Sequence, residues 1–191
     1  CWTEGTTSIT NCYVKDSSVT AVGTGYVQAA GPIAGCLGAS ATISNCYAIN
    51  CEVSATEMTT SSSGVGSSGF VGYISASTTT PNISNSYVKN VTVTNLNKIY
   101  SFARFGTKDS DTVLSGYTKC YSDKSKKTKD IAVTLVSDST TPSWSTLHTE
   151  LGETAWKADT YSLNSGAPRL KWEKDPPPKY DIIVSDTIEN G

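Results

Sequence analysis

Ile43-Ser44-Asn45-Cys46-Tyr47-Ala48 decides the fold, because the chain repeats it. An earlier copy reads Ile9-Thr10-Asn11-Cys12-Tyr13-Val14 and a later one Ile83-Ser84-Asn85-Ser86-Tyr87-Val88. A worn fourth copy is Thr118-Lys119-Cys120-Tyr121-Ser122. The tyrosines fall 34, 40 and 34 residues apart, and Val19, Val53 and Val93 each follow six residues after one of the first three. Self-similarity at such a period is the mark of a repeat architecture.

Each phrase has an apolar, glycine-bearing run upstream. Ile33-Ala34-Gly35-Cys36-Leu37 precedes the second copy and Phe70-Val71-Gly72-Tyr73-Ile74 the third. Phe102-Ala103-Arg104-Phe105 precedes the fourth, with arginine where glycine stood. Cys1-Trp2 falls where Cys36-Leu37 would, so the chain is expected to begin inside a unit.

A period of 34 also suits helix-turn-helix repeats, but the content rejects them. The units hold Val, Thr, Ser, Asn and Gly rather than Ala, Leu, Glu and Lys at helical spacing. Such segments read as short strands between polar turns. The Gly/Ser-rich insert at 61–68 lengthens one turn while the phrases stay constant. One coil per unit accounts for both features, because insertions then bulge outward from a stack of equivalent strands. The expected fold is all-β: a right-handed parallel β-helix of about three to four coils over residues 1–130. Strict alternation would place Ile, Asn and Tyr of the phrase on one face. The expected core columns are Ile9/Ile43/Ile83, Val19/Val53/Val93, and either the tyrosines or Cys12/Cys46/Ser86/Cys120. Asn11, Asn45 and Asn85 are expected at a turn, where a hydrogen-bonded ladder is open to them.

Residues 131–173 read as a C-terminal capping segment. It should hold a short helix at 145–150, a turn at 164–166 and a strand ending at Trp172. Trp144, Trp156 and Trp172 are expected over the open end of the stack, where unpaired edges invite aggregation. Residues 174–191 read as a Pro-rich linker and the first strand of a further domain.

These motifs resemble the GLUG repeat of bacterial cell-surface and adhesin-like proteins. Residues 31–48 and 69–88 carry the resemblance best, and it extends over about residues 1–122. The resemblance implies a right-handed β-helix, a cell-surface or secreted location and no catalytic residues.

Composition excludes several functions. A net charge of −2 lacks the basic footprint of a nucleic-acid binder. No apolar run approaches the ~18 residues of a membrane span. With 10 Tyr and 4 Trp among 191 residues the chain has enough to bury, which separates it from disordered polar chains. The single histidine, His148, reads as a surface residue with no nucleophile beside it. The six cysteines include no Cys-x-x-Cys, so zinc is not expected. They read as mostly free, buried thiols in stacked columns, since parallel side-chain vectors are poor for bridging. Asp109 and Asp111 share a loop and read as a solvated turn. The five lysines of residues 119–129 read as a solvated loop.

No enzyme activity, metal or other cofactor is expected. The leading expectation is an adhesin segment or β-helical spacer within a larger bacterial protein, meeting a host or cell-surface glycan or protein. The alternative is a carbohydrate-binding module attached to a surface enzyme, with Tyr26, Tyr73 and Tyr100 as exposed platforms. A β-helical polysaccharide lyase comes last, and would need Asp109, Asp111 and a basic residue in one groove.

Overall fold

The structure, a computed structural model, describes residues 6–22, 29–38, 40–55, 66–74, 81–94, 99–100, 103–105, 117–124 and 133–177. These residues are mostly β with a single short helix. The first repeat contributes β1 (Ser8–Thr10), β2 (Tyr13–Lys15) and β3 (Ser18–Ala21). The second holds β4 (Ala29–Ala30), β5 (Ala34–Leu37), β6 (Thr42–Ser44), β7 (Tyr47–Ile49) and β8 (Glu52–Ala55). The third holds β9 (Gly66–Ser68), β10 (Val71–Ile74), β11 (Asn82–Lys89) and β12 (Thr92–Thr94). The fourth holds β13 (Ile99–Tyr100), β14 (Ala103–Phe105) and β15 (Tyr117–Ser122). Beyond the repeats come β16 (Thr134–Leu135), α1 (Leu147–Leu151), β17 (Trp156–Lys157) and β18 (Arg169–Leu170).

Equivalent strands of successive repeats pair in parallel among the described residues. Ile9, Ile43, Ile83 and Tyr117 are register partners in turn, as are Tyr13, Tyr47, Tyr87 and Tyr121. Val19, Val53 and Val93 form a third such row. The apolar runs make a sheet of their own, β5-β10-β14, and β4-β9-β13 forms another. The sheets are open, and β17–β18 is the antiparallel pair among the described residues. Arg104 sits where β14 slips against β10, since Val71 faces Ala103 but Ile74 faces Phe105.

The expected alternation fails at the asparagines. Asn11, Asn45 and Asn85 hold φ of 54°, 51° and 47°, left-handed backbone that asparagine tolerates better than most residues. Asp16, Asn50 and Asn90, five residues further on, do the same at 49°, 52° and 51°. Each left-handed residue lengthens the step between inward side chains from two residues to three. Ile43, Cys46, Ala48, Cys51 and Val53 therefore all enter one core cluster. Tyr47 and Ile49, lying between them, point the other way into a second cluster. From the second repeat on, the tyrosine and cysteine columns are thus both buried, on opposite faces of one sheet.

The second cluster is completed by residues 133–177. Trp144 and Trp156 lie along the tyrosine column rather than over the end of the stack as expected. β16 extends the stack by pairing with β15, and the chain then runs back along the tyrosine flank. Leu147 and Leu151 of α1, one helical turn apart, are buried in this cluster with Trp144, Trp156, Ala167 and Leu170. An outward tyrosine column is a broad apolar face, and burying each large side chain of it stabilises by ~1.5–3 kcal/mol.

Candidate functional site

Stacking identical phrases puts identical side chains about one strand spacing apart, ~4.8 Å. The Tyr13 and Tyr47 ring centroids lie 5.0 Å apart at 9°, and those of Tyr47 and Tyr87 lie 5.0 Å apart at 5°. Trp156 leans against Tyr47 and Tyr87 at 6.0 and 5.5 Å, and Trp144 against Tyr87 at 5.7 Å. Trp172 stacks on Tyr13 at 5.6 Å and 26°.

Hydrogen bonds tie the column to the C-terminal segment. Tyr47 Oη donates to the Glu173 carboxylate at 3.0 Å. Tyr87 Oη donates to the Pro168 carbonyl and accepts from Asn164 Nδ2 at 3.4 Å. Lys15 and Lys89, in register with Ile49 on either side, reach the turn beyond: Lys15 Nζ donates to the Leu163 carbonyl and, at 3.1 Å, to Asn164 Oδ1. Lys89 Nζ donates to the Ser165 carbonyl at 2.7 Å and sits 4.9 Å over the Trp144 ring. Burial pushes the Tyr47 and Tyr87 phenols well above their ordinary range, so both stay protonated at neutral pH.

Arg169, buried at 2% exposure, pins the far end. Its Nη1 meets Asp175 Oδ1 at 2.7 Å, its Nη2 donates to the Lys174 carbonyl, and its Nε lies 3.5 Å from Glu173 Oε2. The hydrogen bond from Lys157, and then the one from Arg169, hold Asp175 below the usual carboxylate range.

Two side-chain ladders run along the turns. Asn45 Nδ2 donates to Asn11 Oδ1 at 3.2 Å. Asn90 Nδ2 donates to Asn50 Oδ1, and Asn50 Nδ2 to Asp16 Oδ1, both at 2.9 Å. The Asn45–Asn11 bond matches the expectation for the asparagine column at that pair. The second went unread, although an Asx residue five positions after each phrase asparagine was visible in the sequence.

What this surface leaves open is a pair of rings: Tyr13 is 40% and Trp172 58% exposed. Comparison with protein-family models, curated proteins and solved structures finds no match. The expected platforms fare differently. Tyr73 is 3% exposed, because β10 pairs on both sides and turns that side chain into the structure, so it is not a platform. Tyr26 lies outside the described residues, as does the side chain of Tyr100, whose backbone forms β13. Asp109 and Asp111 also lie outside them, as does the strand-like run at 180–184. The aromatic pair was missed because sequence position alone does not reveal that Trp172 returns to the first repeat.

Cys36, Cys46, Cys51 and Cys120 are free and buried, in line with the expectation of mostly free, buried thiols. Burial pushes the Cys46 and Cys120 thiols up to about 12, and the Cys36 thiol to about 11. Cys12 departs from the expectation: it is free but exposed, in the first of the stacked phrases. Among the described residues, no group of three His, Cys, Asp or Glu could hold a metal ion. No described helix is long and apolar enough to cross a membrane.

Proposed function

We propose that this chain is a segment of a right-handed parallel β-helix, built from GLUG-like repeats in a larger bacterial surface protein. It acts there as a non-enzymatic adhesin segment or spacer. The register carries the reading: four successive phrases pair in parallel, residue for residue, despite spacings of 34, 40 and 34 residues. Continued round a common core, such stacking gives a stiff module that grows along one axis. Right-handedness follows from the strong preference of parallel crossovers for that hand. The tyrosine flank and its cover of residues 133–177 stiffen the module further.

A second reading, a carbohydrate-binding module, is favoured by one observation. Trp172 and Tyr13 present a stacked, half-open aromatic pair, the kind of surface on which the apolar face of a pyranose packs. Binding to a glycan and mucin array, in calcium and in chelator, separates the two. Saturable binding to one glycan class, abolished by Tyr13→Ala or Trp172→Ala, establishes the recognition module. Absence of binding under both conditions leaves the spacer. Saturable binding that both variants retain removes the aromatic pair from the account.

A further inference from the structure

We propose that Lys15 and Asn164 are the two halves of a self-forming isopeptide cross-link, which joins the first repeat to the C-terminal segment through their side chains. Lys15 Nζ already donates to Asn164 Oδ1 at 3.1 Å. Bond formation moves that nitrogen from the oxygen to the carbon of the same amide, ~1.2 Å away. Two groups held this way react as if at very high concentration, although they lie 149 residues apart in the chain.

The amide is fixed for attack. Asn164 is 1% exposed, and burial keeps water, the competing nucleophile, away from it. Its Oδ1 takes the Lys15 donor, while Nδ2 donates to Tyr87 Oη at 3.4 Å and to the Pro168 carbonyl at 3.3 Å. Asp159 holds the turn around it. Asp159 Oδ2 accepts from the Asn164 and Gly166 N–H groups at 2.7 and 3.0 Å, and Oδ1 accepts from the Leu163 N–H at 2.9 Å. A second acceptor, the Leu163 carbonyl, steers the Lys15 side chain to the same place.

Lys89 shows what sets this lysine apart. It lies in the same register row, on the far side of Ile49. Its ammonium meets the Ser165 carbonyl, a backbone amide that an amine can replace only by cutting the chain. Lys15 meets a side-chain amide, whose nitrogen is free to leave.

The step needs no cofactor and no oxidant. Lys15, half-buried, releases its ammonium proton to solvent, and the free amine attacks Cγ of Asn164. The Nζ–Cγ bond forms and the Cγ–Nδ2 bond breaks. Nδ2 takes a proton from Tyr87 Oη, its hydrogen-bond partner, and the proton that Nζ sheds restores the phenol. Ammonia leaves, so an amine and a primary amide become a secondary amide and ammonia. The product ties β2 to the turn at 159–166 and locks residues 133–177 onto the tyrosine flank. Closing so long a covalent loop restricts the unfolded chain, as a disulfide does.

Intact mass spectrometry of the denatured full chain tests this, followed by tryptic mapping. The parent should be lighter than its sequence mass by one ammonia, and its digest should contain a branched peptide joining residues 15 and 164. Lys15→Arg, which keeps the charge and the donors, and Asn164→Ala should each keep their full mass. A parent that still has its full sequence mass after prolonged incubation overturns the proposal. So does a loss of ammonia that K15R retains, which assigns it to succinimide formation at an asparagine. The mass and branched peptide of the parent decide the matter even where a variant fails to fold.

Discussion

Gly31 and Gly72 meet backbone to backbone: a Cβ on Gly31 would lie 2.4 Å from the Gly72 nitrogen, and one on Gly72 would lie 2.6 Å from the Ala30 nitrogen. The two glycines belong to different repeats, so the approach sets how closely successive units nest. Neither neighbour is a flexible side chain that can swing aside. Gly31→Ala and Gly72→Ala should each destabilise by about 3 kcal/mol, the upper end for overpacking. Urea unfolding should show a lower midpoint at unchanged slope. An unchanged midpoint in either variant would mean the units can separate at no cost.

Tyr87 separates packing from hydrogen bonding in the flank. Tyr87→Phe keeps the ring between Tyr47 and Trp144 but removes the donor to Pro168. It should cost ~1–2 kcal/mol. Tyr87→Ala also opens a cavity and should cost ~3–5 kcal/mol. Equal losses in thermal or urea unfolding would show that the hydroxyl, not the ring, holds the segment.

Arg169 is the buried charge on which residues 169–175 converge. Arg169→Ala leaves Glu173, with a side chain 9% exposed, without its cation, while Tyr47 still donates to it. Breaking a buried pair from one side should cost ~3–5 kcal/mol. Because the contacts are local to the C-terminal segment, its release should precede global unfolding. Trp156 emission should shift to the red in R169A at denaturant concentrations that leave the repeats folded. A single coincident transition by fluorescence and far-UV circular dichroism would refute separate release.

Stability should fall at alkaline pH. Cys46 and Cys120 rise from an ordinary 9.0 to about 12, and Tyr47 and Tyr87 rise from 10.0, all through burial. Above pH 9 the unfolded chain releases these protons while the folded chain keeps them, so the unfolded state gains with each step of pH. Stability is fully present below pH 9 and declines steadily from there through about pH 12. Melting temperature measured from pH 7 to 11 checks the sign. A flat or rising profile above pH 9 contradicts the buried placement of these groups.

Asn50 carries two loads: a left-handed backbone at φ 52° and the middle of the Asp16–Asn90 ladder. Asn50→Gly keeps the first and removes the second, whereas Asn50→Ala loses both. The alanine variant should be less stable than the glycine variant by about 1 kcal/mol, the cost of left-handed backbone for a residue with a Cβ. The reverse order would mean that the backbone relaxes out of the left-handed region.

Legibility in the sequence followed physical range. The phrase around Asn45 was enough to predict parallel pairing, because identical short strands need only stack in register to satisfy their backbones. Ile43, Val53 and their equivalents fell into core columns as read. The facing of Tyr47 stayed open between the tyrosine and cysteine columns, since a period of two assumes extended backbone and Asn45 is left-handed. The repeat of Asx five residues on, at Asp16, Asn50 and Asn90, was visible but needed that same bend to gain meaning.

The sequence by itself determined the repeat, the strands and their parallel partners, which depend on local propensity and self-similarity. Only the tertiary structure decided that the sheet buries both faces, that residues 133–177 lie along the tyrosine flank, and that Trp172 returns to Tyr13. Those outcomes rest on contacts such as Tyr47 to Glu173, 126 residues apart, which no local pattern encodes. They are settled by where a large apolar face was left to cover.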